Sequence, residues 1–352
     1  MSTASPRVSL RRTVENHWDL SAFNWKLGLL TLVLLTVIAV LVGKLQNEGL
    51  ALGLGLLMSL LVLATSPKES RGWALTRFAV LGTVATYLGV AINSDGIIMA
   101  IALGLVCFLA SFGAAMNPAF AGVASMLSIW LLMALTLLGD GESPLTRAIY
   151  FLIGALIVAI PVVIMDRKKG IQRESLFTAP KEAIARLSTA SPDLAYAFLF
   201  AAVAVISLVA GLIFTPEHPQ WTASTAVILM PAVGGGSFVK TVQRVIGTAI
   251  GAFLVVAVIT RIGSDNKALL IGIAVISGFM MSATIKVNSV LFALFLTAMI
   301  VAATSLSDAS IHDVGRERVI ATALGAAFAI LGMLLSRLIP GADADDTASV
   351  PA

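Results

Sequence analysis

Residues 194–214 read LAYAFLFAAVAVISLVAGLIF and contain no charged side chain. A helix of about 20 apolar residues crosses the roughly 30 Å hydrocarbon core of a bilayer. Comparable runs recur along most of the 352-residue chain, of which 58% is hydrophobic and 12% is charged. A soluble domain carries about 25% charged residues, and the alternation of a membrane β-barrel is absent. The composition therefore predicts an all-α polytopic membrane protein.

The apolar runs predict twelve transmembrane helices. The expected spans are 26–43, 49–65, 73–92, 96–115, 119–139, 145–165, 194–214, 221–233, 238–260, 267–284, 287–304 and 317–338. The count falls to eleven if one of two weakly separated neighbouring pairs is a single bent helix. These pairs are divided by Asn117-Pro118 and by residues 284–288.

The distribution of Lys and Arg predicts the orientation of the chain. With the N-terminus inside, the inner segments hold 17 of the 23 basic residues, whereas the 19 acidic residues divide almost evenly. A Lys/Arg bias without an acidic bias follows the positive-inside rule, so we expect both termini in the cytoplasm. Arg147 and Arg318 then fall in outer segments, and the cations nearest to membrane depth are Arg77, Arg244 and Lys286. No carboxylate lies deep in a predicted span.

Matched spacings indicate that the two halves of the chain are duplicated. A proline precedes a Gly-Thr pair by 15 residues at Pro67–Gly82 and by 16 at Pro231–Gly247. Seven residues separate Arg147 from Gly154 and Arg318 from Gly325, and Asn117 and Asn288 each precede the fifth span of their half. Six spans per half give a parallel repeat with its pseudo-twofold axis along the membrane normal.

The duplication defines the expected domain organisation. We predict an N-terminal cytoplasmic tail, a first transmembrane repeat, a cytoplasmic linker, a second transmembrane repeat and a disordered C-terminal tail. The corresponding ranges are 1–25, 26–165, 166–193, 194–338 and 339–352. The linker combines prolines with mixed charges, which is typical of a surface segment with one short amphipathic helix.

Residues 230–251, MPAVGGGSFVKTVQRVIGTAIG, place glycines and cations side by side. Pro231 ends one helix, and Ser237 is a good N-cap for the next. Free N–H groups at a helix start attract anions, and Lys240 and Arg244 add positive charge. A phosphate-binding P-loop is excluded, because Ser237 and Phe238 follow the glycines instead of Lys and Ser/Thr. The stretch predicts either an anion-attracting mouth or a cytoplasmic turn whose cations only follow topology.

The same region, Thr225–Gly251, resembles the hallmark of the fusaric acid resistance and aromatic acid exporter superfamily. The resemblance rests on Pro231, the Gly-Gly-Gly-Ser run and the Arg-x-x-Gly-Thr-x-x-Gly pattern from Arg244 to Gly251. The membrane region of plant aluminium-activated malate transporters is similar. The chain departs from larger exporters in lacking a large soluble domain, and its first-half copy, Ser66–Thr83, lacks the triple glycine. It therefore resembles a compact, membrane-only branch.

The resemblance implies an inner-membrane efflux transporter of small organic anions, with aromatic carboxylic acids as the expected substrates. Candidate residues of the substrate path are Arg77, Asn117, Pro231, Gly234, Gly235, Gly236, Ser237, Lys240, Arg244, Lys286 and Asn288. Candidate helix-packing residues are Gly247, Thr248 and Gly251. Expected partners are the lipid bilayer, a periplasmic membrane-fusion adaptor and further copies of the chain, without nucleic acid.

Enzymatic activity finds little support in the sequence. We find no paired carboxylates, no Ser-His-Asp set and no HExxH motif. The three His are scattered and the single Cys107 lies in an apolar run, so we expect no metal site and no cofactor. Two alternatives to export stay open, namely a passive organic-anion channel on the same scaffold and a non-transporting scaffold that recruits an adaptor through the linker 166–193.

Overall fold

The computed structural model describes residues 20–67, 70–92, 96–116, 120–137, 143–168, 192–232, 238–262, 267–305 and 310–339, and their regular elements are all helical. A 3₁₀ turn, Leu20–Ala22, precedes eleven α-helices in this part of the chain. They are α1 (Trp25–Thr65), α2 (Arg71–Ile92), α3 (Gly96–Met116), α4 (Ala121–Leu137), α5 (Pro144–Lys168), α6 (Pro192–Phe214), α7 (Gln220–Leu229), α8 (Phe238–Ile262), α9 (Lys267–Thr284), α10 (Ser289–Thr304) and α11 (Ile311–Ser336). The predicted all-α class is confirmed.

Within the described ranges, seven helices are long and apolar enough to cross a membrane, namely α2, α3, α5, α6, α8, α9 and α11. Four apolar segments are shorter: Trp25–Ile38, Gly49–Thr65, Ala121–Leu135 and Ser289–Thr304. The protein is thus a polytopic helical membrane protein, as predicted.

The segment predicted as the eighth span, 221–233, differs from the structure. Its helix, α7, has only 10 residues, about 15 Å at 1.5 Å per residue and half the thickness of a hydrocarbon core. The helix ends at Leu229, because Met230 leaves the helical region (φ −100°, ψ 102°) as a residue before proline tends to do. Helix α7 is therefore too short to cross the hydrocarbon core by itself.

Helix α1 is a 41-residue run that reverses direction. In a straight helix, Ile38 and Gly53 would lie roughly 22 Å apart. A Cβ on Gly53 would instead lie 2.6 Å from Ile38 Cγ2, so the chain turns back between these residues. This geometry agrees with the two antiparallel spans that the sequence predicts here.

The helices group into two compact units. The smaller unit contains Met1–Thr36 and Val242–Val319, and the larger contains Val37–Thr241 and Ile320–Ala352. This partition by contacts is not the predicted partition into repeats at 26–165 and 194–338. A partition by contacts does not test whether the sequence is duplicated, so the repeat boundaries stay a prediction. The predicted N-terminal tail, linker and C-terminal tail lie largely outside the described residues.

An aromatic cluster forms the centre of the larger unit, where α2 packs against α4 and α5. Trp130 and Phe151 stack with ring centroids 4.6 Å apart, and Phe78 meets Phe151 edge-on at 6.1 Å. The indole N–H of Trp130 donates to Thr86 Oγ1 at 2.9 Å. This bond satisfies the polar group that a buried Trp brings with it.

The smaller unit holds the start of α1 against α9. Asn24 caps α1 by accepting from the N–H of Leu27 at 3.1 Å, and its own N–H donates to the carbonyl of Ala283 at 2.9 Å. Thr31 donates to Ser282 Oγ at 2.8 Å. Interhelical hydrogen bonds of this kind contribute about 0.6 kcal/mol each in membrane proteins, so they fix register more than they add stability.

Gly154 permits a close approach of α5 to α1 in the larger unit. A Cβ at this position would overlap the carbonyl oxygen of Leu52 on α1. We predict that Gly154→Ala destabilises the protein by about 1–3 kcal/mol, because overpacking forces the two helices apart. Thermal unfolding in detergent, followed by circular dichroism, measures the loss.

Gly272 on α9 supplies the matched control, since a Cβ there meets no atom within 4 Å. Gly272→Ala should be neutral or stabilising, as expected for an open position in a helix interior. Equal melting temperatures for the two variants would contradict the packing role of Gly154.

Candidate functional site

A polar stripe runs along the buried face of α8. Thr241, Arg244 and Thr248 are all buried and recur at spacings of three and four residues, which places them on one face of the helix. The other side of α8 exposes apolar residues such as Phe238, whose side chain is 60% exposed. In a membrane the apolar side faces lipid and the polar stripe faces the protein interior.

Arg244 is the central residue of the candidate site. Its side chain is only 5% exposed, and its guanidinium carbon lies 5.9 Å from the ring centroid of Phe292 on α10. In the part of the chain that the structure describes, Arg244 Nε has no hydrogen-bond partner. The site therefore holds a buried cation beside an aromatic face, with a donor that is available to a ligand.

Arg318 of α11 is a second buried cation in the same unit. It is 3% exposed and interacts electrostatically with Arg244 as a like charge. Arg318 has further contacts of its own. Two like charges in a low-dielectric interior repel each other, and burial removes their hydration. The pair, which we call the arginine pair, is therefore stabilised by any anion that binds near it.

The packing of α8 against α10 positions Phe292 relative to Arg244. Cβ atoms on Gly247 and Gly251 would overlap the carbonyl oxygens of Val290 and Leu294, so only glycine allows this approach. Thr297 donates to Thr248 Oγ1 at 3.3 Å across the same contact. The predicted packing residues thus lie where two helices of the site meet.

Asn288 fixes the start of α10. Its side-chain oxygen accepts from the N–H of Val290 at 2.6 Å, in extended backbone conformation, and it is buried. This is a typical N-cap, and it sets the position of Phe292 one turn later. Asn288 therefore serves the candidate site through the helix it caps.

The remaining candidates of the predicted path are placed as follows. Lys240 on α8 and Lys286 in the turn after α9 are exposed. Arg77 and Pro231 belong to the larger unit, where Arg77 stacks on Trp73 with its guanidinium carbon 2.9 Å from the ring centroid. Asn117, Gly234, Gly235, Gly236 and Ser237 lie outside the described residues.

Arg147 and Arg318, which the sequence analysis counts in outer segments, are buried inside the protein. They are 2% and 3% exposed, respectively. Arg147 lies in the first turn of α5, which begins at Pro144, close to the predicted start at 145. Helix α11 begins at Ile311, before the predicted start at 317, so Arg318 lies two turns inside the helix.

The break after α7 is held by two side chains that sequence reasoning missed. Tyr196 on α6 donates its hydroxyl to the carbonyl of Pro231 at 2.7 Å, and Ser111 on α3 donates to the carbonyl of Ala232 at 2.6 Å. Carbonyls at a helix end lack an intrahelical partner, and at membrane depth they need one from the protein. Tyr196 and Ser111 supply it.

One family model matches the chain. Residues 196–332 match the model described as fusaric acid resistance protein-like. The matched range is less than half of the chain and includes Arg244, Phe292 and Arg318. It confirms the predicted resemblance over this range. No curated protein and no solved structure matches the chain significantly.

The bond from Tyr196 to Pro231 leads to a second prediction. Tyr196→Phe removes the hydroxyl and leaves a buried carbonyl unsatisfied, which costs about 1–3 kcal/mol. We expect a lower melting temperature in detergent. Tyr87→Phe is the matched control because Tyr87 on α2 is 46% exposed and should tolerate the change. A Tyr196→Phe protein as stable as the control would show that the bond does not hold the break.

Proposed function

We propose that this chain, which is fusaric acid resistance protein-like over residues 196–332, is a membrane transporter that exports small organic anions, with aromatic carboxylates as its preferred substrates. The observation that carries the proposal is the arginine pair, in which Arg244 and Arg318 are both buried and Arg244 lies beside the ring of Phe292. The family match supports a transport or resistance function in general. The arginine pair supports the choice of anions.

The chemistry of the site fits a carboxylate. Guanidinium groups bind carboxylates through paired N–H···O bonds, which are about twice as strong as bonds between neutral groups. A carboxylate beside Arg244 would reduce the repulsion between the two arginines and replace part of the lost hydration. The same field would repel inorganic and organic cations. The site therefore selects for negative charge.

Phe292 supports a preference for aromatic acids over aliphatic acids. An aromatic ring gains about 0.5–1.5 kcal/mol from stacking on another ring beyond the area that it buries. A substrate whose carboxylate lies at Arg244 would carry its ring within reach of Phe292, since the guanidinium carbon and the ring centroid are 5.9 Å apart.

A passive anion channel is the second candidate function. Proton-coupled transporters usually carry a buried acidic residue or His as a relay. Among the described residues, the buried polar and charged side chains include Arg, Ser, Thr, Asn and Gln but no Asp, Glu or His. Recording in planar bilayers distinguishes the two functions, because a channel gives unitary currents and a slow exporter does not.

We place the protein in the bacterial inner membrane with both termini in the cytoplasm. The Lys/Arg bias over the inner segments supports this orientation. Reporter fusions at each terminus test it, and activity of a periplasmic reporter at either end would contradict it.

Replacing either arginine of the pair should impair export. We predict that Arg244→Gln and Arg318→Gln each reduce the export of radiolabelled benzoate by about tenfold or more, since a hydrogen bond to a charged group is worth about 1.5–3 kcal/mol. Export is measured in inverted membrane vesicles. Arg316→Gln is the control on the same helix, because Arg316 is exposed. Normal export by both well-folded variants would remove the arginine pair from the mechanism.

Phe292 should control selectivity more than rate. We predict that Phe292→Leu lowers the preference for benzoate over propionate by about threefold to tenfold, which corresponds to the loss of ring stacking. Competition between the two acids in the same vesicles gives this ratio. An unchanged ratio would mean that the substrate ring does not reach Phe292.

A further inference from the structure

Four polar side chains follow one another around the start of α2 at spacings of four, three and four residues. Ser66 and Ser70 lie before the helix, and Trp73 and Arg77 lie in its first two turns. Three of them carry a buried polar atom that has no hydrogen-bond partner among the described residues, namely Ser66 Oγ, Ser70 Oγ and Trp73 Nε1. Ser66 is only 5% exposed. Buried polar atoms are nearly always hydrogen-bonded, so three in one short segment require an explanation.

These groups lie close together in the sequence around the start of α2. Trp73 and Arg77 are four residues apart in the helix and therefore neighbours on its surface. Ser70 immediately precedes the helix, held by the bond from its N–H to the carbonyl of Pro67 at 3.2 Å. A Cβ on Gly122, at the start of α4, would lie 3.9 Å from Ser66 Oγ, so α4 borders the segment.

Arg77 adds fixed positive charge to this group of donors. Its guanidinium carbon lies 2.9 Å from the ring centroid of Trp73 and 5.8 Å from that of Phe120. The indole therefore holds the guanidinium in place by a cation–π contact. A hydroxyl and an indole N–H can each donate a hydrogen bond, and three potential donors beside a cation are the groups that an oxyanion needs.

Among the described residues, one carboxylate contacts the start of α2: Asp166 of α5 accepts from the N–H of Gly72 at 2.9 Å. Glu69, which precedes Ser70 in the sequence, lies outside the described residues. The Asp166 bond satisfies a backbone N–H, and Ser66 Oγ, Ser70 Oγ and Trp73 Nε1 keep no partner among the described residues.

The second half of the chain repeats the spacing. Ser237, Lys240 and Arg244 follow the same intervals as Ser70, Trp73 and Arg77. The aromatic contact also recurs, because Arg244 lies 5.9 Å from Phe292 and Arg77 lies 5.8 Å from Phe120. The first-half copy of the motif lacks the triple glycine, but it keeps the arginine and an aromatic ring in contact with it.

We propose that Ser66, Ser70, Trp73 and Arg77 form an oxyanion-binding site in the first half of the chain, which takes the carboxylate or phosphate oxygens of a small solute or a lipid headgroup. The two serine hydroxyls and the indole N–H of Trp73 donate to the anion, and Arg77 supplies the charge. The proposal rests on the larger unit alone and does not depend on the arginine pair.

The indole of Trp73 provides a direct test. The chain has five tryptophans, so ¹⁵N-indole labelling of the full-length protein in detergent gives five signals, and the signal missing in Trp73→Phe belongs to Trp73. We expect this signal to shift downfield on titration with benzoate or inorganic phosphate. The signal of Trp25, which is 55% exposed, should stay in place. Ser66→Ala should weaken the binding by about tenfold, since it removes a bond to a charged ligand.

The titrations also distinguish the source of the anion. A shift with the free anions identifies a solute site, and a shift only with added phosphatidylglycerol identifies a headgroup site; both outcomes support an oxyanion site. No shift with any of these probes would overturn it. Phenylalanine at 73 keeps a ring for Arg77, so loss of binding in a folded Trp73→Phe protein, measured by isothermal titration calorimetry with the same anions, reports the lost N–H.

Arg244→Gln separates this site from the proposed transport site. The Trp73 shift should persist in Arg244→Gln with an unchanged midpoint. Loss of the shift in that variant would overturn an independent first-half site. Persistence of the shift together with normal export by Arg244→Gln would reject the role of the arginine pair and leave the first-half site intact.

Discussion

The cost of burying positive charge among apolar helices is the constraint on which the candidate site depends. Arg244 and Arg318 are 5% and 3% exposed and repel each other. Such an arrangement persists only if the surrounding contacts support it, because isolated buried ions cost several kcal/mol each. The ring of Phe292 and the contacts of Arg318 compensate in part. The remaining uncompensated positive charge opposes folding, and it is also the feature on which the proposed anion binding rests.

A capped helix start positions the ring beside Arg244, and a separate helix break in the larger unit has partners of its own. Asn288 caps α10 and sets the position of Phe292, whereas Tyr196 and Ser111 satisfy the carbonyls at the break after α7. Backbone outside a helix is tolerated at membrane depth only where the protein or water covers it. Discontinuous helices are also where transporters commonly bind their substrates. The breaks of this chain are therefore built with specific partners, as functional breaks require.

The sequence predicts the helical class and most of the span positions, because apolar runs of about 20 residues have a strong and local signal. It also singles out Arg244, through the motif that surrounds it. It fails for Arg318 and Tyr196, whose roles depend on partners far away in the chain. Hydropathy assigns Arg318 to a span end, since a window average cannot distinguish a lipid-facing cation from one that faces the protein interior.

Two arginines at matching positions of the predicted repeat have similar aromatic contacts. Arg77 with Phe120 and Arg244 with Phe292 each join the third predicted span of a half to the start of its fifth, at 5.8 and 5.9 Å. A contact retained in both halves indicates a shared physical requirement, namely an aromatic face that holds a guanidinium where water is scarce. The halves differ four residues before the arginine, where the first half has Trp73 and the second half has Lys240. An indole N–H in the first half and an ammonium group in the second therefore stand one helical turn before the arginine, so the two halves offer an anion different donors.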